Sequence, residues 1–479
     1  MAHTKKPHQR WRENIEAFTV AIVMAVMLKY FAVEAYQIPT GSMQPTLMGL
    51  ELRERGQLVG EIKDRILVDK LSYHLRDPER FEVVIFKYPL NRAQNFVKRL
   101  VGMPGDELRI QYGDLWLKDA QKDEWRVLRR PSKVMAAHWK AIDEGPAPRD
   151  VHWMAEGNRS VNSRDIDATA ATTLTFMAHG GGSILDTYEH GYPPGARAAM
   201  RQFPEFHRSN ANTVGDLRFT GRVTPRAELE SVTVELSEGG RRYRFTLPGP
   251  RATASGRIEV VWAQIERYEP SSVEVGTRLE AGRTYDIAAE NLDDRLALFL
   301  DGETIATLEV PPALDQASGV KLELSGGGAR LEDLQVFRDI FYTGSDNATS
   351  WKIPEGHYFM LGDNTQDSSD SREWRTLALL WNGAPDGKPV LGNAREGPAD
   401  GRYLPDSNPI RENTPDGVTT FFRDVYGERH VFPKSAEKPP ASRIDPAPFV
   451  PRALIAGRAL AVFWPFSFRF STYRLQWIR

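Results

Sequence analysis

The sequence predicts a mostly β protein: an antiparallel β core with one N-terminal transmembrane helix and an inserted β-sandwich. Three observations lead there. An apolar run near the N-terminus stands apart from an otherwise ordinary globular composition, with 41% hydrophobic and 26% charged residues. The chain after it reads in short β-branched runs broken by turns, with no long amphipathic helix. A later stretch alternates apolar and polar residues at hairpin spacing. Length agrees, since at roughly 150 residues per domain a chain of 479 makes about three domains, or one with large insertions. With 62 Lys+Arg against 64 Asp+Glu the net charge is −2, so no global positive field exists and no nucleic acid partner is expected. The absence of cysteine excludes disulfides, thiolate zinc sites and a cysteine nucleophile. Covalent catalysis in this chain must use Ser, Thr, Lys or a carboxylate.

The apolar run, 17–33, reads AFTVAIVMAVMLKYFAV, with Lys29 as its only charge. As a helix at ~1.5 Å per residue it spans about 26 Å, close to the thickness of a bilayer core. Lys29 can snorkel to the headgroups, and Tyr30 and Phe31 suit the interface. Lys5, Lys6, Arg10 and Arg12 precede it. The expected topology is therefore a cytoplasmic basic tail over 1–16, a transmembrane helix over 17–35 in the cell (inner) membrane, and an extracytoplasmic chain from 36 onward. A cleaved signal peptide is the competing reading, with small residues at Ala32 and Ala35. A second apolar stretch, 453–466, is short and interrupted by Arg458.

Strand patterns then begin, at 66–68, at 82–86 (EVVIF) and at 95–101 (NFVKRLV), with a turn at 76–79 and a stop at 102–106 (GMPGD). Three segments carry chemistry. In QIPTGSMQPTL at 37–47, Pro39, Gly41 and Pro45 bend the backbone around Ser42, so that a hydroxyl and a neighbouring N–H can be presented together. Alone, this is a loop with a serine. In FVKRL at 96–100, alternation puts Lys98 on the face of Phe96 and Leu100, and Arg99 on that of Val97 and Val101. Desolvation disfavours the ammonium there and yields a neutral amine that can take a proton from a serine. The bland alternative is an edge-strand lysine whose head reaches water. The third segment, GDNTQDSSDSR at 362–372, leaves the apolar YFML at 358–361; by itself it reads as a solvated loop, or as a weak calcium site without EF-hand spacing.

Together these segments resemble bacterial type I signal peptidases, the membrane-anchored Ser–Lys proteases that remove signal peptides. The resemblance rests on IPTGSMQPTL at 38–47, KRLVGMPGD at 98–106 and GDNTQDSSDSR at 362–372, in that order. The stretches 66–89 (ILVDKLSYHLRDPERFEVVIFKYP) and 455–465 (IAGRALAVFWP) are similar to further family motifs. The likeness implies Ser42 as nucleophile, Lys98 as general base, and the Ser42 N–H with the Thr40 hydroxyl as oxyanion donors. It implies Ser368 as the residue orienting the lysine amine, and Asp370 with Arg372 as a supporting ion pair. Ile38, Met43, Leu47 and Val97 fall where the family lines small pockets for substrate positions −1 and −3, favouring Ala-x-Ala. It also implies secretory preproteins as substrates, membrane lipid as surroundings, and neither metal nor cofactor. Two departures stand out. Thr40 replaces the family's usual serine, keeping the hydroxyl but adding a methyl beside the oxyanion, and Thr365, Gln366 and Asp367 stand where Arg, Asp and Asn are usual.

The resemblance covers about 10–120, 338–378 and 449–479, giving a signal-peptidase-like core in three parts, 36–120, 338–378 and 449–479. The first insertion, 121–337, alternates through Val232, Val234 and Leu236, Tyr243, Phe245 and Leu247, Leu296, Leu298 and Leu300, then Ile305 and Val320, Leu322 and Leu324. This predicts an antiparallel sandwich similar to lectin-type jelly rolls, with a glycan or protein ligand as its partner. The second, 379–448, is rich in Pro and Gly and has a hairpin pattern at 419–431. No G-x-S-x-G elbow or H-E-x-x-H motif is present, and His74 and His357 read as packing or surface residues. Lys70, near Tyr73, is the competing candidate for the base. A second functional class is a membrane-tethered glycan- or protein-binding protein on an inactive peptidase shell; the intact Ser42 and Lys98 argue against it.

Overall fold

The computed structural model describes residues 7–27, 29, 32–55, 57–142, 152–156, 159–161, 164–178, 182–187, 190–200, 212–262, 271–313, 317–344, 349–380, 387–394, 410–414, 417–431, 441–464, 466–467 and 472–478. Most of these lie in antiparallel strands. The N-terminal helix runs Pro7–Met27. Arg10, Arg12, Glu13 and Glu16 lie in its first half, and by Val33–Gln37 the chain is a strand paired with Arg65–Asp69. No helix among the described residues is long and apolar enough to cross a membrane, which corrects the expected transmembrane helix over 17–35. Strand pairing from Val33 takes the end of the apolar run away from the helix. What remains of the run in the helix, 17–27, exposes Phe18, Val20, Ile22, Val23 and Met27.

The central sheet has the strand order Val33–Gln37, Arg65–Asp69, Ile455–Trp464, Val83–Tyr88, Asn91–Gly102, His357–Leu361, Phe449–Pro451. Its middle is built from the VVIF run, buried on both faces because alternate side chains meet different clusters. Val84 and Phe86 pack with Leu100, Met360 and Trp374 on one face. Val83 and Ile85 pack with Ile38, Met43 and Leu47 on the other. Lys98 is opposite Val84, and Val97 opposite Ile85, so the two residues fall on opposite faces of the sheet.

A smaller sheet orders Ser350–Lys352, Glu107–Gln111, Asp114–Asp119 and Glu124–Val127. Its last strand carries the core past residue 121, where the first insertion was expected to begin. The turn at 119–123 closes this hairpin, with Asp119 Oδ1 accepting from the Gln121 N–H at 2.9 Å.

Two sheets form the inserted domain and share one hydrophobic cluster that includes Phe219, Tyr243, Phe245, Leu298, Leu322 and Leu331. The alternating segments fold as Ser231–Glu238, Arg241–Pro248, Arg295–Leu300, Glu303–Glu309 and Ser318–Ser325. The hairpin pattern of the second insertion is met by Gly417–Arg423 paired with Arg429–Val431.

The inserted domain does not hang from a linker. Tyr192, Ala196 and Met200, from it, share a cluster with Met48, Leu50, Leu52 and Ile62 of the hairpin that follows the Ser42 loop. Met200 is 1% exposed at this seam. Met200→Ala is expected to cost about 2–5 kcal/mol, from lost transfer free energy plus the cavity left behind. A lowered urea midpoint at unchanged m-value is the measurement that checks it.

Candidate active site

Ser42 sits in a single 3₁₀ turn, Gly41–Met43, entered from extended backbone at Thr40. The Thr40 side chain makes no capping bond to that turn. The turn is pinned from several sides. The Ile38 N–H donates to Asp64 O at 2.8 Å and the Met48 N–H to Asp64 Oδ2 at 2.8 Å. Arg474, near the C-terminus, pairs with Asp64 at 2.9 Å and donates to the carbonyls of Pro45 and Thr46. Two parts of the chain separated by hundreds of residues therefore hold one loop.

The 362–372 segment closes over it. Leu361 pairs with Arg99, so the chain leaves the sheet beside Lys98. A Cβ on Gly362 would clash with Ser368 Oγ and with Ser42 O, so only glycine fits between the Ser42 loop and Ser368. The Asn364 N–H donates to Ser42 O at 3.1 Å, and Asn364 Nδ2 to Gly41 O at 2.9 Å. Asp363 accepts from Thr46 Oγ1 at 2.6 Å and takes both prongs of Arg99, at 2.8 and 2.7 Å. Arg99 and Asp363 are 1% and 5% exposed. Burial would raise the Asp363 carboxyl, but the guanidinium overrides it and holds it well below the usual carboxylate range. Asp370 and Arg372 form a second buried fork at 2.8 Å on each prong. There too burial acts upward, and Arg372 holds Asp370 below its ordinary value.

Lys98 is 2% exposed and donates from Nζ to Ser368 Oγ at 3.1 Å. Its Nζ lies 5.8 Å from the Phe96 ring centroid. Burial draws the amine down to about 8, against the opposing pull of Asp370. Ser42, Lys98, Thr40 and Ser368 line one cleft of about 700 Å³, together with Ile38, Met43 and Val97. Asp370 and Arg372 stand behind it. Leu47 is fully buried in the cluster beneath and does not line the cleft. Lys70 is elsewhere, paired with Glu34 at 3.2 Å. Burial also draws Lys140 down to about 8, but it lines a separate small cavity behind the loop, beside Gln44, Pro45 and Asp363.

The sequence reading named Arg99 but gave it no role, and it missed the parts played by Gly362, Asp363 and Asn364. All four lie inside the quoted motifs, so their types were visible while their partners were not. It also missed the inserted domain's reach. Tyr192 OH donates to Gln44 Oε1 at 2.8 Å, and Gln366 Nε2 to Asp186 O at 2.8 Å. Nothing in the local pattern at 186–192 signals these contacts.

The fold brings Ser42 and the buried Lys98 to one cleft on a β scaffold, and the comparisons with known proteins give its family. The profile of the family described as signal peptidase, peptidase S26, matches residues 11–166 and 323–410, half of the chain. The chain belongs to this family. It is 34% identical over 167 residues to "Probable signal peptidase I-2" of Synechocystis, covering 33% of this chain and 66% of that protein. It is 36% identical over 106 residues to "Signal peptidase I" of Pseudomonas fluorescens, covering 20% of this chain and 33% of that one. The chain thus matches no more than about two thirds of the length of these relatives. Among solved structures, Caenorhabditis elegans galectin LEC-6 is 11% identical, covers 26% of this chain and 86% of its own, and has a TM-score of 0.22, which carries no argument for a lectin-type insertion.

Arg99→Met removes one partner of a fully buried pair and strands the Asp363 carboxylate. The expected loss is about 3–5 kcal/mol of unfolding free energy. Urea denaturation followed by tryptophan fluorescence measures it.

Proposed function

We propose that this chain is a membrane-associated serine endopeptidase that removes N-terminal signal peptides from secretory preproteins through an acyl-enzyme on Ser42. The observation that carries the reading is the shared cleft, which is lined both by Ser42 and by a buried Lys98 whose amine is drawn down to about 8. A solvated lysine titrating near ~10.4 is neutral at pH 7 in about one molecule in two and a half thousand, whereas one near 8 is neutral in about one in ten. Burial therefore supplies the base.

In the mechanism, neutral Lys98 Nζ takes the Ser42 proton as Oγ attacks the carbonyl carbon of the −1 residue. The oxyanion is received by the Ser42 N–H and the Thr40 hydroxyl. Collapse breaks the peptide C–N bond, and the Lys98 ammonium returns its proton to the leaving amine. Lys98 then deprotonates a water that hydrolyses the ester, freeing the signal peptide carboxylate and restoring Ser42. The Lys98 donation to Ser368 fixes one N–H and leaves the lone pair for Ser42. Ile38, Met43 and Val97 wall the −1 and −3 pockets, with Leu47 supporting them from beneath, so small side chains such as those of Ala-x-Ala fit and large ones clash.

The catalytic domain lies on the extracytoplasmic face of the cell membrane. That face is where secretory preproteins present their signal peptides for removal, and the exposed apolar side chains of 17–27 support contact of the helix with lipid.

Cleavage of a purified preprotein after Ala-x-Ala is the direct test. Ser42→Ala and Lys98→Ala should each remove nearly all activity, and the double variant should lose no more than either single one, because the two act as a unit. A lysine at the −3 position of the substrate should block cutting. Retained cleavage by Ser42→Ala would sink the mechanism.

The rate should also rise with pH. The neutral amine is the active form, so activity is low well below 8, climbs as the proton leaves, and levels above it. A pH–kcat/KM profile in the folded range reads this, and a rate independent of pH between 6 and about 9 would contradict a lysine base of this kind.

A further inference from the structure

The seam between the core and the inserted domain carries a cluster of carboxylates that the peptidase reading does not use. Asp114 opens the core strand Asp114–Asp119. Asp216 precedes the inserted strand Leu217–Pro225, and Asp293 lies in the turn between Tyr285–Leu292 and Arg295–Leu300. One carboxylate oxygen from each comes within 4.8 Å of the others.

An independent observation bears on Asp293. It is 3% exposed, and its Oδ2 is buried with no hydrogen-bond partner among the described residues. The buried Oδ1 of neighbouring Asp339 has none either. The nearby cations are largely committed. Arg130 Nη2 is hydrogen-bonded to Asp339 Oδ2 and stands 3.6 Å from Asp293 Oδ1. Arg129 donates to the Asp293 carbonyl and pairs with Glu309. A buried carboxylate oxygen without a hydrogen bond is costly unless a cation or water meets it, and Asp293 Oδ2 is such an atom.

We propose that Asp114, Asp216 and Asp293 bind a hard divalent cation, of the calcium or magnesium class, that clamps the inserted domain to the peptidase core. The donor set points to that class, because it consists of carboxylate oxygens with no imidazole or thiolate. Three ligands from three separate segments would tie the small core sheet to one end of the strand pair Leu217–Pro225 and Tyr285–Leu292, where Leu217 stands opposite Asn291. Backbone carbonyls and water complete the coordination.

The test uses the full-length protein, stripped with EDTA, freed of chelator and titrated separately with calcium and magnesium chloride while the thermal midpoint is followed. A ligand that binds only the folded state raises that midpoint in a saturable way. The expected result is a rise of several degrees with at least one ion at millimolar concentration, abolished in Asp216→Asn and in Asp114→Asn. Asp114 is only partly buried, so its variant keeps the test readable if the other fails to fold. The Asp424, Glu428 and His430 group elsewhere on the chain is the internal control, since binding there would survive both changes. A midpoint that neither ion moves, or a rise that persists in both variants, would overturn the site.

Discussion

The buried Arg99–Asp363 pair is the constraint on which the rest of the cleft depends. Arg99 follows Lys98 in the strand, and Asp363 follows Gly362 at the point where the chain leaves the sheet. Adjacent strand residues face opposite ways, so Arg99 grips the departing segment from one side while Lys98 meets Ser368 on the other. The fork has two parallel N–H···O bonds and fixes orientation as well as distance. Such a pair adds little net stability over an apolar replacement of both partners, and its contribution is to permit one arrangement of the two segments. Thr46 on the same carboxylate brings the Ser42 loop into that arrangement.

Lysine burial is the second half of the problem. The same enclosure that draws Lys98 down would leave a charged amine unpaired, and Asp370 opposes the shift from behind the cleft. Arg372 takes both prongs of Asp370 and so keeps that carboxylate from pairing fully with the lysine. The amine is left with a hydroxyl partner, Ser368, in place of a carboxylate, which would have fixed it as an ammonium.

The inserted domain takes part in this scaffold. Tyr192 bonds Gln44, two residues beyond Ser42, and the Asp186 carbonyl accepts from Gln366. With Met200 and Ala196 packed on the hairpin after Ser42, the insertion buttresses the loop that the core alone would hold through Asp64 and Arg474. Its effect on the cleft is mechanical, through packing and hydrogen bonds at the back of the loop.

The sequence by itself determined the β class, the alternating strands of the insertion and the residue types of the cleft. Each is a local property: period-two alternation shows in any strand buried on one face, and Ser42, Lys98 and Ser368 lie in dense motifs whose order is readable. It overstated the N-terminal helix as a span, because hydropathy registers the apolar run but not the sheet that captures Val33–Gln37. Tertiary structure decided the rest. That Arg99 is a buried clamp, that Gly362 must lack a side chain, that Leu47 supports the cleft from beneath and that Tyr192 reaches Gln44 all depend on contacts between residues far apart in the chain. Such contacts leave no period in the sequence, because burial and pairing are set by what the folded chain brings alongside.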